Sequence, residues 1–396
     1  MPLPTPFFPR TSQLCTSLSW KDWAGYYAVR SYDTYMEREY YAFRHTAGLV
    51  DVTPLYKYDV SGPDAASFLT RIMVRDAGRL KVGQVVYLCW CDETGHVIDD
   101  GTVSRFDTDR FRVTSAEPSL AWLSRFTRGH RVEIEDVTDK LAALSIQGPT
   151  SRSILSEAAQ IPLEDIKYFR FKNGRIGSQD VVISRTGYTG DLGFEVWVDN
   201  AGALAVYDAL LAAGERYGLM PAGLDAMDMA RLEAGFIMNG VDYYSANHCF
   251  LESRKSTPYE LALGWTVELE REPFNGQRAL LAEKARGPSR ALVGLVLDWP
   301  ELEALFAKSG LPPELRRGAW RDPVPVYDKA GRHVGQATSG TWSPTLKQNL
   351  ALATVRAEQA AVGTELDIEV TVEYQRLRAT ARVTKKPFFD PPRKKS

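Results

Sequence analysis

Hydrophobic and polar positions change period repeatedly along this chain, and the changes mark out its elements. Residues 33–46 read as a helix that runs into a strand. The alternating YKYDVSG, the helical PDAASFLTRIM and the apolar VVYLCW follow, then the strands VIDDGTVSRF and RFRVTSA and a helix in SLAWLSRFTRG. Switching between a period of two and one of 3.6 in this order predicts a β-α-β-β-α unit of ferredoxin-like type. A similar mixture recurs over 134–218: ALSIQGP as strand and turn, SRSILSEAA as helix, DVVISRTGYTGDLGFEVWV as hairpin, AGALAVYDALLAAGERYG as helix.

Residues 221–236, PAGLDAMDMARLEAGF, read as a helix with Pro221 near its start, where the missing N–H costs nothing. Prolines and charges break the pattern over 299–322, which reads as a surface insertion or linker. From 323 onward short strands dominate. PVPVY, the DKAG turn and HVGQATSG form a hairpin, and ELDIEVTVEY puts Leu366, Ile368, Val370 and Val372 on one face. Such strands suggest a small antiparallel barrel. The tail DPPRKKS is expected to be disordered.

Composition narrows the class. With 396 residues the chain has room for two or three domains and needs no metal or disulfide staple. The 48 Lys and Arg against 50 Asp and Glu leave a net charge of −2, which argues against a general nucleic-acid binder. No apolar run approaches the 18 residues of a membrane span, and MPLPTPFFPR is not ordered as a secretory signal. A cytoplasmic protein is expected. The four cysteines are too few and scattered for a disulfide framework, and no histidine pair has metal-ligand spacing, so no metal site is expected. Cys89 and Cys91 share one side of a strand and read as small core residues. Walker, GxGxxG and GxSxG motifs are missing, which leaves carboxylates, tyrosines and a bound organic cofactor to carry chemistry.

Two segments stand out. In ISRTGYTGDLGFEVWV, Gly187, Gly190 and Gly193 recur through a tight turn. Beyond it Phe194, Val196 and Val198 can face a core while Glu195 and Trp197 point the other way. A carboxylate beside an aromatic suits a flat heterocycle with N–H donors, although a hairpin with a solvated glutamate accounts for the same residues. In ETGHVIDDGTVSRF, Asp99 and Asp100 sit side by side where strands disfavour aspartate, and one must face each way. One could cap a turn while the other lines a cavity.

GHVIDD, ALSIQGP, SRTGYTGDLGFE, ARLEAGF, SGTWSPTL and VTKKPFF occur in one order. The series resembles the tetrahydrofolate-binding glycine cleavage T-protein (aminomethyltransferase) family over roughly residues 35–390. The resemblance implies an α+β, three-lobed fold around a central folate channel. Two ferredoxin-like lobes, here 1–286, would bind folate, and a small antiparallel β-barrel, 287–396, would make the third. It further implies Asp100 as the catalytic carboxylate, Tyr87, Tyr168 and Tyr188 near the cofactor, and Glu195 reading the N–H donors of the pterin.

The chain also departs from the family pattern. Where the family has G-A-R-D, this chain has Asp225-Ala226-Met227-Asp228, so methionine replaces an active-site arginine. Arg231, one turn on, is a candidate substitute at the cofactor. Asp51-Val52-Thr53-Pro54-Leu55 lacks the family's histidine, Ser19-Trp20-Lys21-Asp22-Trp23 replaces an F-x-G-W segment, and Thr114 stands for the usual asparagine. An insertion surrounds HCFLESRKS (248–256), and the 299–322 linker is long. These departures surround the donor side. They favour a small N-, O- or S-methyl donor passing its one-carbon unit to N5 of tetrahydrofolate, in demethylase fashion. The alternatives are aminomethyl transfer from a lipoyl carrier protein, a non-catalytic folate-binding factor, and a folate domain working with a flavoprotein oxidase.

Overall fold

The computed structural model describes residues 1–159 and 161–396. Its first sheet has five strands in the order Val85–Cys91, Val97–Arg105, Arg110–Ser115, Tyr56–Ser61, Glu133–Asp136. The second has six: Phe171–Ile176, Gln179–Ser184, Gly193–Asp199, Leu141–Gln147, Ala47–Asp51, Leu219–Pro221. Both elaborate the split β-α-β layout. The third lobe is a closed barrel of Arg290–Leu297, Gln348–Arg356, His333–Ser343, Val324–Tyr327, Glu365–Val372 and Gln375–Thr384. Pairing of Gly294 with Thr384 and of Leu297 with Ala381 closes the ring, which leaves it no free edge. No helix among the described residues is long and apolar enough to cross a membrane.

Alternation decides which face each strand buries. Leu366, Ile368 and Val372 are buried inside the barrel, with Val370 packed against the same core. Phe194, Val196 and Val198 enter one core of the six-stranded sheet, and Trp197 enters another on its opposite side. Cys89 and Cys91 pack beside Val97, Tyr243 and Leu261 as ordinary core residues.

The helix Leu224–Glu233 is buried on every side: Ala226 through Glu233 are all buried, five of them charged or methionine. It touches the helix Glu37–His45, the strand Tyr26–Ser31 and the barrel strand His333–Ser343, so it lies where the lobes meet.

Three sequence expectations need correction. Pro221 does not start this helix. It ends the strand Leu219–Pro221, which pairs in parallel with Ala47–Leu49 at the sheet edge, where a missing N–H is tolerated. The 299–322 stretch is not surface decoration. Its first part is the helix Trp299–Ala307, capped by the Asp298 carboxylate and burying Leu302, Leu305 and Phe306 against the barrel. Its end is fastened by a backbone bridge between Trp320 and Gly340. The tail is docked as well: Arg393 makes a two-pronged ion pair with Asp191 at 2.7 and 2.8 Å, and Lys394 is buried. Composition marked the tail as polar, but Arg393 has its partner on another lobe, and Lys394 pairs with Asp390 within the tail.

Candidate functional site

The strand Val97–Arg105 carries the two aspartates, and its alternation sends them to opposite sides. Asp99 is fully buried. One oxygen accepts from the amides of Ala116 and Glu117 at 3.1 and 2.9 Å, the other from the Asn239 carboxamide and the Asp100 amide, both at 2.9 Å. It clamps a turn and the Asn239 loop together. Asp100 accepts instead from two phenols, Tyr87 at 2.7 Å and Tyr243 on its other oxygen. Burial pushes both carboxyls above the usual carboxylate range, and for Asp99 the neighbouring Asp100 charge pushes further. The phenols oppose this at Asp100, because a hydrogen bond donated to the anion favours the anion. Burial, then the Asp100 charge, holds both tyrosines well above their ordinary pKa, so they stay donors.

Glu195 stands on the strand Gly193–Asp199 and accepts a 2.7 Å hydrogen bond from the Thr186 hydroxyl. Burial raises its pKa, and the Thr186 and Ser184 hydroxyls offset part of the rise. It lines a narrow slot with Trp197, Phe106, Phe171, Thr102 and Thr114. Phe106 and Phe171 lie 4.5 Å apart, and the Thr102 and Thr114 hydroxyls meet at 2.5 Å. A carboxylate in an aromatic-walled slot can take a planar ring by its N–H edge.

The turn that presents Glu195 is braced by Gln147. Its carboxamide donates to the Thr186 and Phe194 carbonyls and accepts from Thr189. A Cβ on Gly187 or Gly193 would come within 2.1 Å of that carboxamide, which is why the turn needs glycine at both positions.

Tyr188 stacks on Phe236 at 5.6 Å and donates its hydroxyl to the Ile237 carbonyl. Behind it Arg231 is fully buried. Its Nε meets Asp228 at 2.7 Å, and its Nη1 meets Asp242 at 2.5 Å. Burial alone would lower the guanidinium pKa; Asp242 and Asp228 more than reverse this. Nη2 has no partner. Asp242 also accepts from Thr338 and Ser339 of the barrel, both at 2.6 Å, so the arginine ties two lobes together.

Tyr87, Asp100, Tyr188 and Glu195 each keep part of their surface accessible, although burial dominates their titration. All four are therefore reachable side chains in mostly enclosed surroundings. Electrostatic coupling joins Tyr87, Asp100, Tyr188 and Arg231 into one group. Tyr168 stands apart from it: its ring meets Phe169 edge-on, and the charges acting on it are Asp390 and Arg185, near the docked tail.

Sequence reasoning missed Tyr243, Asn239, Gln147 and Lys386. The lysine is likewise half-enclosed: burial pulls it down to about 8, partly opposed by Asp242, and among the described residues no hydrogen bond engages its amine. ALSIQGP and VTKKPFF hold two of these residues in plain view, yet nothing local says what Gln147 or Lys386 will face. The other two follow an element boundary, where only tertiary contact gives them a role.

Comparison with known proteins agrees with this fold. The GCVT N-terminal domain matches residues 12–271, and the glycine cleavage T-protein C-terminal barrel domain matches 310–390. The chain is 36% identical to an aminomethyltransferase from Halothermothrix orenii, covering 89% of this chain and 90% of that one. It is 33% identical to one from Moorella thermoacetica, covering 94% of each. The crystal structure of glycine cleavage system aminomethyltransferase T from Bartonella henselae superposes with a TM-score of 0.83 at 26% identity, over 98% of this chain and 99% of that one.

Proposed function

The chain belongs to the glycine cleavage T-protein family, and on that premise we propose that it is a folate-dependent aminomethyltransferase, passing a one-carbon unit to tetrahydrofolate. The observation that carries this reading is the Asp100 carboxylate, held by two phenolic donors while part of its surface stays accessible. Tetrahydrofolate would supply the nucleophilic nitrogen. Glu195, oriented by Thr186, would hold the N–H edge of its ring, with Phe106, Phe171 and Trp197 as walls of the slot. Tyr188 would offer its ring face farther along the channel.

Asp100 has two tasks at the reacting centre. Its negative charge stabilises positive charge that develops nearby, and its free lone pairs can take a proton. The Tyr87 and Tyr243 hydroxyls fix its orientation and keep water from doing so. Asp99 faces the other way, so its role is to position the strand and the Asn239 loop.

The names of the relatives, aminomethyltransferases, support an aminomethyl group as the unit transferred, and the family resemblance implies a lipoyl protein as its carrier. A second reading, a small methylated donor, is supported by Met227. It stands where the family places an arginine and packs among Met36, Trp23 and Ala319, which makes that side more apolar.

Incubation with tetrahydrofolate and aminomethylated lipoyl carrier protein tests the first reading through ammonia release and methylenetetrahydrofolate formation. Turnover confined to N-, O- or S-methyl compounds would select the second. Folate binding without turnover on any donor would remove catalysis altogether.

A further inference from the structure

Three departures from the family pattern, far apart in sequence, meet at one place. The strand Ser19–Trp23 pairs with Tyr26–Ser31, so Lys21 and Trp23 share a face with Ala28 and Arg30. That face looks onto the start of the helix Leu224–Glu233: Trp23 and Ala28 pack with Met227, and Arg30 reaches Asp225 at 3.0 Å. From the long linker, Ala319 packs into the same cluster, and Arg321 places its Nε 2.7 Å from Asp228. The Trp320–Gly340 bridge pins the linker there.

The charges do not balance. Lys21, Arg30, Arg231 and Arg321 face Asp225, Asp228 and Asp242, and each aspartate already has an arginine. Among the described residues no carboxylate lies within ion-pair distance of Lys21. Burial and then Arg321 pull its ammonium below the ordinary value, while Asp228 and Asp225 oppose this without contact. A half-buried cation beside a second cation is costly unless an anion joins them. Lys21 and Arg321 both keep accessible surface, so a ligand can reach them. Met227 and Trp23 beside them offer apolar contact.

We propose that Lys21 and Arg321 form a carboxylate-binding subsite for the one-carbon donor, with Trp23 and Met227 contacting its apolar portion. The donor is then a small molecule bearing a carboxylate and a transferable methyl or methylene carbon. The proposal rests on the one-carbon-transfer reading above and selects the small donor within it.

Calorimetric titration of the full chain loaded with tetrahydrofolate tests it. The probes are N,N-dimethylglycine and methoxyacetate, each against its primary amide, which lacks the carboxylate. At least one acid is expected to bind ten-fold or more tightly than its amide. Arg321→Gln and Lys21→Met should each remove most of that preference and leave tetrahydrofolate affinity within two-fold, while Arg321→Lys should keep part of it. Equal binding of acids and amides, or a preference that survives both charge-removing variants, overturns the subsite. Failure of tetrahydrofolate to bind the wild-type chain would instead sink the one-carbon reading itself.

Discussion

The two adjacent aspartates divide one strand position into two jobs, and substitution separates them. Asp100→Asn keeps the shape but loses the charge and the proton acceptor. Turnover should fall by roughly 10²–10⁴-fold, with folate affinity within about three-fold by calorimetry; near-wild-type activity would remove Asp100 from the chemistry. Glu195→Ala should instead weaken folate binding by ~1–3 kcal/mol, the usual cost of a lost charge-assisted contact, and an unchanged Kd would refute its role. Asp99 is readable through pH. Burial, then Asp100, pushes it up to about 7, against an unfolded value of about 3.9. The folded state therefore binds more protons than the unfolded one across that window. The contribution of Asp99 is fully present below pH ~4 and is lost as pH rises through about 7. The stability of wild type minus that of Asp99→Asn should fall between pH 4.5 and 7.5 in thermal melts, and a flat difference would contradict the assignment. The sequence made both aspartates visible as strand anomalies, and alternation already required opposite faces. Their partners Tyr243 and Asn239 were not visible, because loops more than a hundred residues away bring them in.

At the scale of elements, legibility followed periodicity. The hairpin around Gly187, the barrel strands and the helix Ser151–Ala158 could be placed from pattern alone. The helix Leu224–Glu233 could not be oriented, because its polar stripe, Asp225, Asp228 and Arg231, meets ion-pair partners within the protein rather than marking an outside. The linker was misjudged for the opposite reason: its prolines and charges resemble a solvated loop, and Trp320 and Arg321 gain their meaning only from Gly340 and Asp228. Gly340 tests that attachment. A Cβ there would come within 2.3 Å of the Trp320 ring while the backbone bridge holds the two residues together. Gly340→Ala should push Trp320 off the barrel and loosen the segment before it. Trypsin should then cut at Arg316 or Arg317 at least several-fold faster than in the wild type, with the barrel still resistant. Unchanged cleavage would mean that the linker is held by something other than this contact.

Across the whole molecule, buried ions join the lobes alongside an apolar cluster that runs from Cys89, Cys91 and Val97 through Leu232 to Leu292 and Leu352 of the barrel. Asp242 binds Arg231 on one side and Thr338 and Ser339 of the barrel on the other. Glu233 takes Arg44 of the first region and Ser343 of the barrel. Such pairs contribute little net stability over a hydrophobic seam, but breaking one strands a charge. They therefore fix how the lobes sit around the channel more than how tightly they hold. The docked tail is the most accessible of these ties. Arg393 lies at the surface and grips Asp191, whose carboxylate is fully buried with Arg44 3.6 Å away. Arg393→Ala leaves that carboxylate with the longer Arg44 contact and the Leu192 amide at 2.8 Å, at a cost of ~1–3 kcal/mol. The thermal midpoint should drop, and carboxypeptidase should remove the last residues faster. Glu195 reaches the channel from the same turn that carries Asp191, so folate affinity should fall as well, by less than Glu195→Ala itself produces. A stable, protease-resistant tail in Arg393→Ala would show that Arg185, which also bonds the final residues, is sufficient to hold the lobes in place.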